Sequence, residues 1–330
     1  MLVVACPGQG AQSPGMLAPW LELPGFAASI RRSGEVTGLD LAAHGTTSDA
    51  DTIRDTAVAQ PLLVASALAS LRAVLDVAAD APLGAAIAAQ VDVAAGHSVG
   101  ELAAAAVAGV LTDDEALALV TVRGAAMARA AAATPTGMSA VLGGDPDEVL
   151  AALDAHGLVP ANVNGGGQVV AAGTLEALAA FAAAPPARAR VIALQVAGAF
   201  HTEHMAPAVD ELRSAAATVT PGAPGAPGVT LLTNRDGSAV DSGERALELV
   251  VAQVANPVRW DLCQATMQDL GVTALLELAP GGVLTGLARR TLPGVETVAV
   301  KTPADLDAAR DLVRRHAGSS TAASTQEQSS

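Results

Sequence analysis

Aromatic side chains are scarce in this 330-residue chain, which has three Phe, two Trp and no Tyr. A protein that grips single-stranded nucleic acid by stacking bases on rings needs more of them. Basic residues are also few, 18 against 33 acidic, which leaves a formal charge of −15. That balance provides no basic footprint for a phosphate backbone and excludes nucleic acid as a partner. Only two cysteines occur, Cys6 and Cys263, far apart and without CxxC spacing. Neither a metal site nor a disulfide framework is supported by them. The richest apolar stretch, Leu102–Val110, is mostly alanine and too short to span a bilayer. The opening Met1-Leu2-Val3-Val4-Ala5-Cys6-Pro7 lacks a basic leader and reads as a buried strand rather than a signal peptide. These absences together describe a soluble, cytoplasmic protein of a reducing compartment, without a membrane partner.

Apolar residues are abundant, at 51% of the chain, enough for one large domain or two modest ones. Strand-like runs at Leu2–Cys6, Val91–Ala95, Val229–Thr233, Thr273–Leu278 and Thr297–Val300 alternate with Ala/Leu-rich helical runs. Such alternation predicts an α/β fold with a mainly parallel sheet. The rhythm changes between about Gly137 and Val196. Met138–Leu142 reads as a strand and Asp145–Ala155 as a helix. Val159–Val163 and Gln168–Ala172 follow as two strands joined across Asn164-Gly165-Gly166-Gly167. A helix over Thr174–Ala183 and a strand over Val191–Gln195 complete a βαββαβ order, that of a ferredoxin-like unit inserted at 129–196. Pro221–Gly228 is a loop rich in Pro and Gly, and the polar tail 318–330 is read as disordered.

Gly96-His97-Ser98-Val99-Gly100 fits GxSxG between a strand candidate and a helix that starts at Glu101. Strand, sharp turn and helix expose a serine Oγ, because flanking glycines let the two elements pass closely. The helix start also turns backbone N–H groups toward a developing oxyanion. Thr112-Asp113-Asp114-Glu115 reads as a capping box, so a helix is expected from there to about Met127. Arg123 on that helix shares a face with Ala116, Leu119, Val120 and Met127. A guanidinium on an apolar face must snorkel, pair with an internal acid, or meet the carboxylate of a ligand. Gly8-Gln9-Gly10 follows the first strand but fits neither a dinucleotide fingerprint nor a Walker A loop. It is a flexible loop at a strand's C-terminal end, where α/β sheets bind ligands. His201 and His204 lie three apart, with no third residue spaced to complete a metal site. No acid with the signature of a triad member stands out.

These motifs resemble those of the malonyl-CoA:acyl carrier protein transacylases. The resemblance is carried by Pro7-Gly8-Gln9-Gly10-Ala11-Gln12, Gln60-Pro61, Gly96-His97-Ser98-Val99-Gly100-Glu101, Arg123, Asn162-Val163-Asn164, Gly198-Ala199-Phe200-His201 and Asn256-Pro257-Val258-Arg259-Trp260. It runs in family order from residue 5 to about 300 and implies an α/β-hydrolase-like catalytic core of residues 1–128 and 197–330. It also implies a Ser98 nucleophile with His201 as base, an oxyanion hole at the amides of Gln9 and Val99, and a backbone carbonyl at Gln253 to orient the imidazole. Arg123 would hold the malonyl carboxylate, Phe200 would disfavour a branched acyl group by its volume, and Asn162 would join the substrate-binding residues. Malonyl-CoA and a phosphopantetheinylated acyl carrier protein are then the substrates, with no cofactor and no metal. An acidic carrier must dock on a local basic patch, for which the candidates are Arg188 with Arg190 and Arg289 with Arg290. Two rival readings remain, a serine esterase or thioesterase and a non-catalytic docking subunit.

Overall fold

The computed structural model of the chain describes residues 1–225 and 228–318. The tail from 319 onward and two residues of the expected Pro221–Gly228 loop lie outside the described residues. The fold is mixed α/β with two five-stranded sheets. The strands are β1 (Leu2–Cys6), β2 (Val93–Gly96), β3 (Thr136–Gly143), β4 (Val159–Gly165), β5 (Gln168–Thr174), β6 (Ala189–Ala193), β7 (Thr230–Leu231), β8 (Val258–Arg259), β9 (Ala274–Glu277) and β10 (Glu296–Ala299).

The first sheet has the order β10-β9-β1-β2-β7 and is parallel throughout. β1 is central and buried along its whole length, which is why its sequence is an unbroken apolar run. Its side chains still alternate. Leu2, Val4 and Cys6 join the core on one face, while Val3 and Ala5 join that on the other. The helices Thr56–Leu75 and Asp113–Ala133 pack on the first face. Both are apolar and long enough by length and composition to cross a membrane, which corrects the view that Leu102–Val110 is the richest apolar run. Within the fold, 83% of the window in the first is buried against neighbours, so its all-round hydrophobicity suits a core helix.

The second sheet, β6-β3-β5-β4-β8, is antiparallel except where β8 runs parallel to β4. The helices Pro146–Ala155 and Leu175–Ala183 cover one face, their Leu153 and Phe181 sharing a core with Val141 and Ala171 of the strands. The opposite face turns toward the C-terminal ends of β1 and β2. Its fifth strand, β8, comes from outside the 129–196 segment and is only two residues long, Val258-Arg259. The helix expected to end near Met127 continues to Ala133. Nothing in the alanine run after Met127 breaks it, and it stops where Thr134 precedes Pro135.

Candidate active site

Ser98 follows β2 at a turn so tight that both flanking glycines are obligatory. A Cβ on Gly96 would lie 2.0 Å from the Gly100 carbonyl carbon, and one on Gly100 would lie 2.2 Å from the Cys6 oxygen. Ser98 itself takes the left-handed region with φ 55. His201 comes from the loop after β6 and is also left-handed, at φ 62, with Thr202 Oγ1 donating to the Ala199 carbonyl beside it. The imidazole Nε2 lies 2.9 Å from Ser98 Oγ, and Nδ1 lies 3.0 Å from the Gln253 carbonyl oxygen. Nδ1–H donates to that carbonyl, which leaves Nε2 as the acceptor for the Ser98 hydroxyl. A backbone carbonyl therefore stands where a hydrolase triad would have a carboxylate.

Arg123 is buried, at 1% exposure, and lies on the apolar face read from the sequence. Its Nη1 donates to Gln60 Oε1 at 2.7 Å and its Nη2 to Gln253 Oε1 at 2.9 Å, with Ser98 Oγ 3.4 Å away. Both close partners are neutral amides, so the guanidinium neither snorkels nor forms a salt bridge among the described residues. Burial pulls its pKa down to about 10, opposed by the Glu101 carboxylate, and it remains a cation at neutral pH. The His201 pKa falls to about 3, first through burial and then through the Arg123 charge. An imidazole kept neutral at 2.9 Å from a hydroxyl is placed to take its proton.

A cavity of about 380 Å³ opens over this pair, lined in part by Gln9, His97, Asn162, Phe200 and Leu194. The amides of Gln9 and Val99 have no acceptor among the described residues. Asn162 is 9% exposed and its Oδ1 is buried without a hydrogen-bond partner among the described residues, while Phe200 is 6% exposed. His97 Nε2 lies 2.9 Å from Asn164 Oδ1, and its ring leaves no room for a Cβ on Gly8, which would sit 2.9 Å from Nδ1. A larger hollow of about 650 Å³ lies elsewhere, around Arg72, Asp80 and Asp113, but no nucleophile and base meet there.

The sequence pattern of the acyl transferase domain family matches residues 3–317. The chain belongs to that family. This acyl transferase is 53% identical over 312 residues to the malonyl CoA-acyl carrier protein transacylase of Mycobacterium tuberculosis, covering 94% of this chain and 100% of the relative. It is 33% identical over 313 residues to the protein of the same description from Escherichia coli, covering 93% and 97%. Among solved structures, MCAT from Mycobacterium tuberculosis matches with a TM-score of 0.87 at 51% identity, over 94% of this chain and 99% of that one. A type II PKS acyl-carrier protein in complex with its malonyl-transacylase matches with a TM-score of 0.82 at 31% identity, over 94% and 99%.

All four basic candidates are exposed. Arg190 pairs with Leu142 across β6 and β3, and Leu142 pairs with Gln168 across β3 and β5. Directly opposed residues share a face, so Arg190 and the cavity-lining Gln168 point the same way. Arg290 Nη2 donates to Gln168 Oε1 at 3.2 Å. Arg190 and Arg290, read as members of separate clusters, therefore border one rim. Arg289 turns instead toward Thr297 Oγ1, and Arg188 lies just before the first residue of the β6 strand. Sequence reasoning missed one polar residue under the elbow, Asn234. In Thr233-Asn234-Arg235-Asp236-Gly237 it carries only the signal of a turn after a strand.

Proposed function

We propose that this acyl transferase moves the malonyl group of malonyl-CoA to the phosphopantetheine thiol of an acyl carrier protein, through a malonyl ester on Ser98. The observation that carries this reading is the buried Arg123 cation, 3.4 Å from the Ser98 oxygen, whose two close hydrogen-bond partners among the described residues are neutral amides. It favours an acyl group that ends in a carboxylate, which would be bound by charge-assisted hydrogen bonds. Kinship with malonyl CoA-acyl carrier protein transacylases and likeness to a carrier-bound malonyl-transacylase support the same substrates, in fatty-acid or polyketide synthesis.

In the first half-reaction Ser98 Oγ gives its proton to His201 Nε2 and attacks the thioester carbon. The amides of Gln9 and Val99 receive the oxyanion, the C–S bond breaks, and the CoA sulfur leaves with the proton from His201. In the second, the carrier thiol gives its proton to His201, its sulfur attacks the malonyl ester, and Ser98 Oγ recovers the proton. Imidazole polarised by a carbonyl rather than a carboxylate suits a thioester, a more reactive acyl donor than an amide. Phe200 and Asn162 border the acyl and pantetheine path, and Gln253 orients the imidazole. No cofactor or metal enters this scheme, and the setting is cytoplasmic. The large sheet layer reads as an α/β-hydrolase-like core and 129–196 as a ferredoxin-like insert, supported by the observed βαββαβ order. Carrier docking falls to Arg190 and Arg290, with Arg188 and Arg289 at the margin.

Brief exposure to malonyl-CoA, followed by intact-mass analysis and peptide mapping, tests this. The protein should gain one malonyl group at Ser98, and Ser98→Ala should gain none and lose nearly all transfer. Malonate released to water faster than it reaches a carrier would instead mark a thioesterase, and absence of any adduct a docking subunit.

A further inference from the structure

The hydrogen bonds beneath the elbow single out a residue that the reaction scheme does not use. The Ser98 turn holds an L residue in the left-handed region, which persists only where surrounding contacts over-determine it. A turn that sharp also leaves the Ser98 N–H and the Gly96 carbonyl outside both strand and helix ladders. One carboxamide takes both. The Ser98 N–H donates to Asn234 Oδ1 at 2.7 Å, and Asn234 Nδ2 donates to the Gly96 oxygen at 2.7 Å. The remaining side-chain contact among the described residues is weak, Nδ2 to Cys263 Sγ at 3.7 Å.

Asn234 is itself fixed on both sides. Its N–H donates to Glu101 Oε1 at 2.7 Å, in the first turn of the helix that follows Ser98. Its carbonyl accepts the Arg259 N–H at 2.8 Å, at β8 of the second sheet. It is fully buried, with 0% exposure. The carboxamide thus ties the end of β2 to the nucleophile, while its backbone ties that turn to the helix and to the other sheet. Because the Ser98 N–H is consumed here, the next amide along, that of Val99, is the one left without an acceptor.

We propose that Asn234 is a positioning residue for the nucleophile. Its carboxamide holds the Ser98 turn so that Oγ stays on His201 Nε2 and the Val99 N–H stays available to the oxyanion. This rests on Ser98 being the nucleophile. A structural filler would affect stability alone, whereas a positioning group affects the acylation step more than substrate binding.

The test is quenched-flow mass analysis of Ser98 acylation by malonyl-CoA in wild type, Asn234→Ala and Asn234→Asp, with circular dichroism to verify folding. Asn234→Ala should acylate about 10- to 100-fold more slowly, with the KM for malonyl-CoA within about twofold. Asn234→Asp keeps the shape. Ionised, it repels the Gly96 carbonyl; protonated, it donates there and still accepts from Ser98. Its rate relative to wild type should therefore rise as pH falls from about 8 to about 5.5. An alanine variant that is folded and acylates within twofold of wild type, or that changes KM alone, overturns the proposal. Should the alanine variant not fold, an Asp-to-wild-type ratio independent of pH overturns it. Label in the wild type on a residue other than Ser98 defeats the underlying assignment instead, and peptide mapping separates the two failures.

Discussion

The floor and the mouth of the cavity hold their polar groups in opposite ways. At the floor, Arg123, His201 and Gln253 are all buried, at 1%, 4% and 5% exposure, and are tied by hydrogen bonds to one another or to Ser98. At the mouth, Arg190 is exposed, with no side-chain hydrogen bond or ion pair among the described residues, and Arg290 has a single bond to Gln168. Burial makes the floor's charges expensive to hold and therefore organised before substrate arrives, which is where electrostatic catalysis gains most. Solvated arginines at the mouth suit a partner met briefly and steered by long-range charge. Substitutions at the floor should change acyl chemistry, and those at the mouth should change only carrier kinetics.

The largest effect should come from the base. His201→Ala should lower transfer by about 10²- to 10⁴-fold, while His204→Ala, three residues on, should stay near wild type. Steady-state rates with saturating carrier decide this, and a reversal would move the base to His204. Arg123→Ala comes next. It should lower kcat/KM for malonyl-CoA relative to acetyl-CoA by roughly 2–5 kcal/mol, because the acetyl group has no carboxylate to lose. An unchanged ratio would leave Arg123 with a purely structural place in the Gln60 and Gln253 network.

A third expectation concerns pH. The His201 pKa is lowered to about 3, so in the free enzyme the imidazole stays neutral as pH falls through its ordinary 6.5. The sign follows: no loss of kcat/KM for malonyl-CoA should centre near pH 6.5, and the limb from this histidine should lie below about pH 5. Acylation rates measured from about pH 7 down to about pH 5 would settle it. A clear midpoint near 6.5 would mean that the floor is wetter, or Arg123 less effective, than the geometry implies.

The same contrast governs what could be read from sequence. β1 was legible because a strand buried on both faces must be continuously apolar. The elbow was legible because its close approach admits only glycine at 96 and 100. Arg123 was legible because a charge on an apolar helical face has few physical explanations. Asn234 was not, since a turn asparagine looks the same whether it faces water or holds the Ser98 turn from beneath. β8 was not either, because two residues carry no period and their pairing with Asn162 and Val163 is purely tertiary. Nor could sequence show that Arg190 and Arg290 share a rim, since that follows from strand register and one bond to Gln168.

The smallest expected effect sharpens the comparison at the mouth. Carrier proteins are acidic, and this chain carries −15, so the two repel at long range unless a local positive field receives the carrier. Arg190 and Arg290 flank Gln168 on the face that opens into the cavity, whereas Arg289 faces Thr297 and Arg188 lies just before the strand. Reversing Arg190 and Arg290 together to Glu should raise the KM for carrier protein by about 5- to 20-fold at low salt, as an exposed charge change acts mainly on encounter. The same reversal should leave Ser98 malonylation by malonyl-CoA within about twofold. Arg188 and Arg289, reversed as a pair, should do less at the same net charge, which separates a local rim from overall acidity. Raising salt should weaken carrier binding to the wild type and narrow the gap to the variant, because exposed charges are screened within about 10 Å at 0.1 M. Equal effects from the two pairs would make the mouth a diffuse field rather than a rim, and no effect from either would put the docking surface elsewhere.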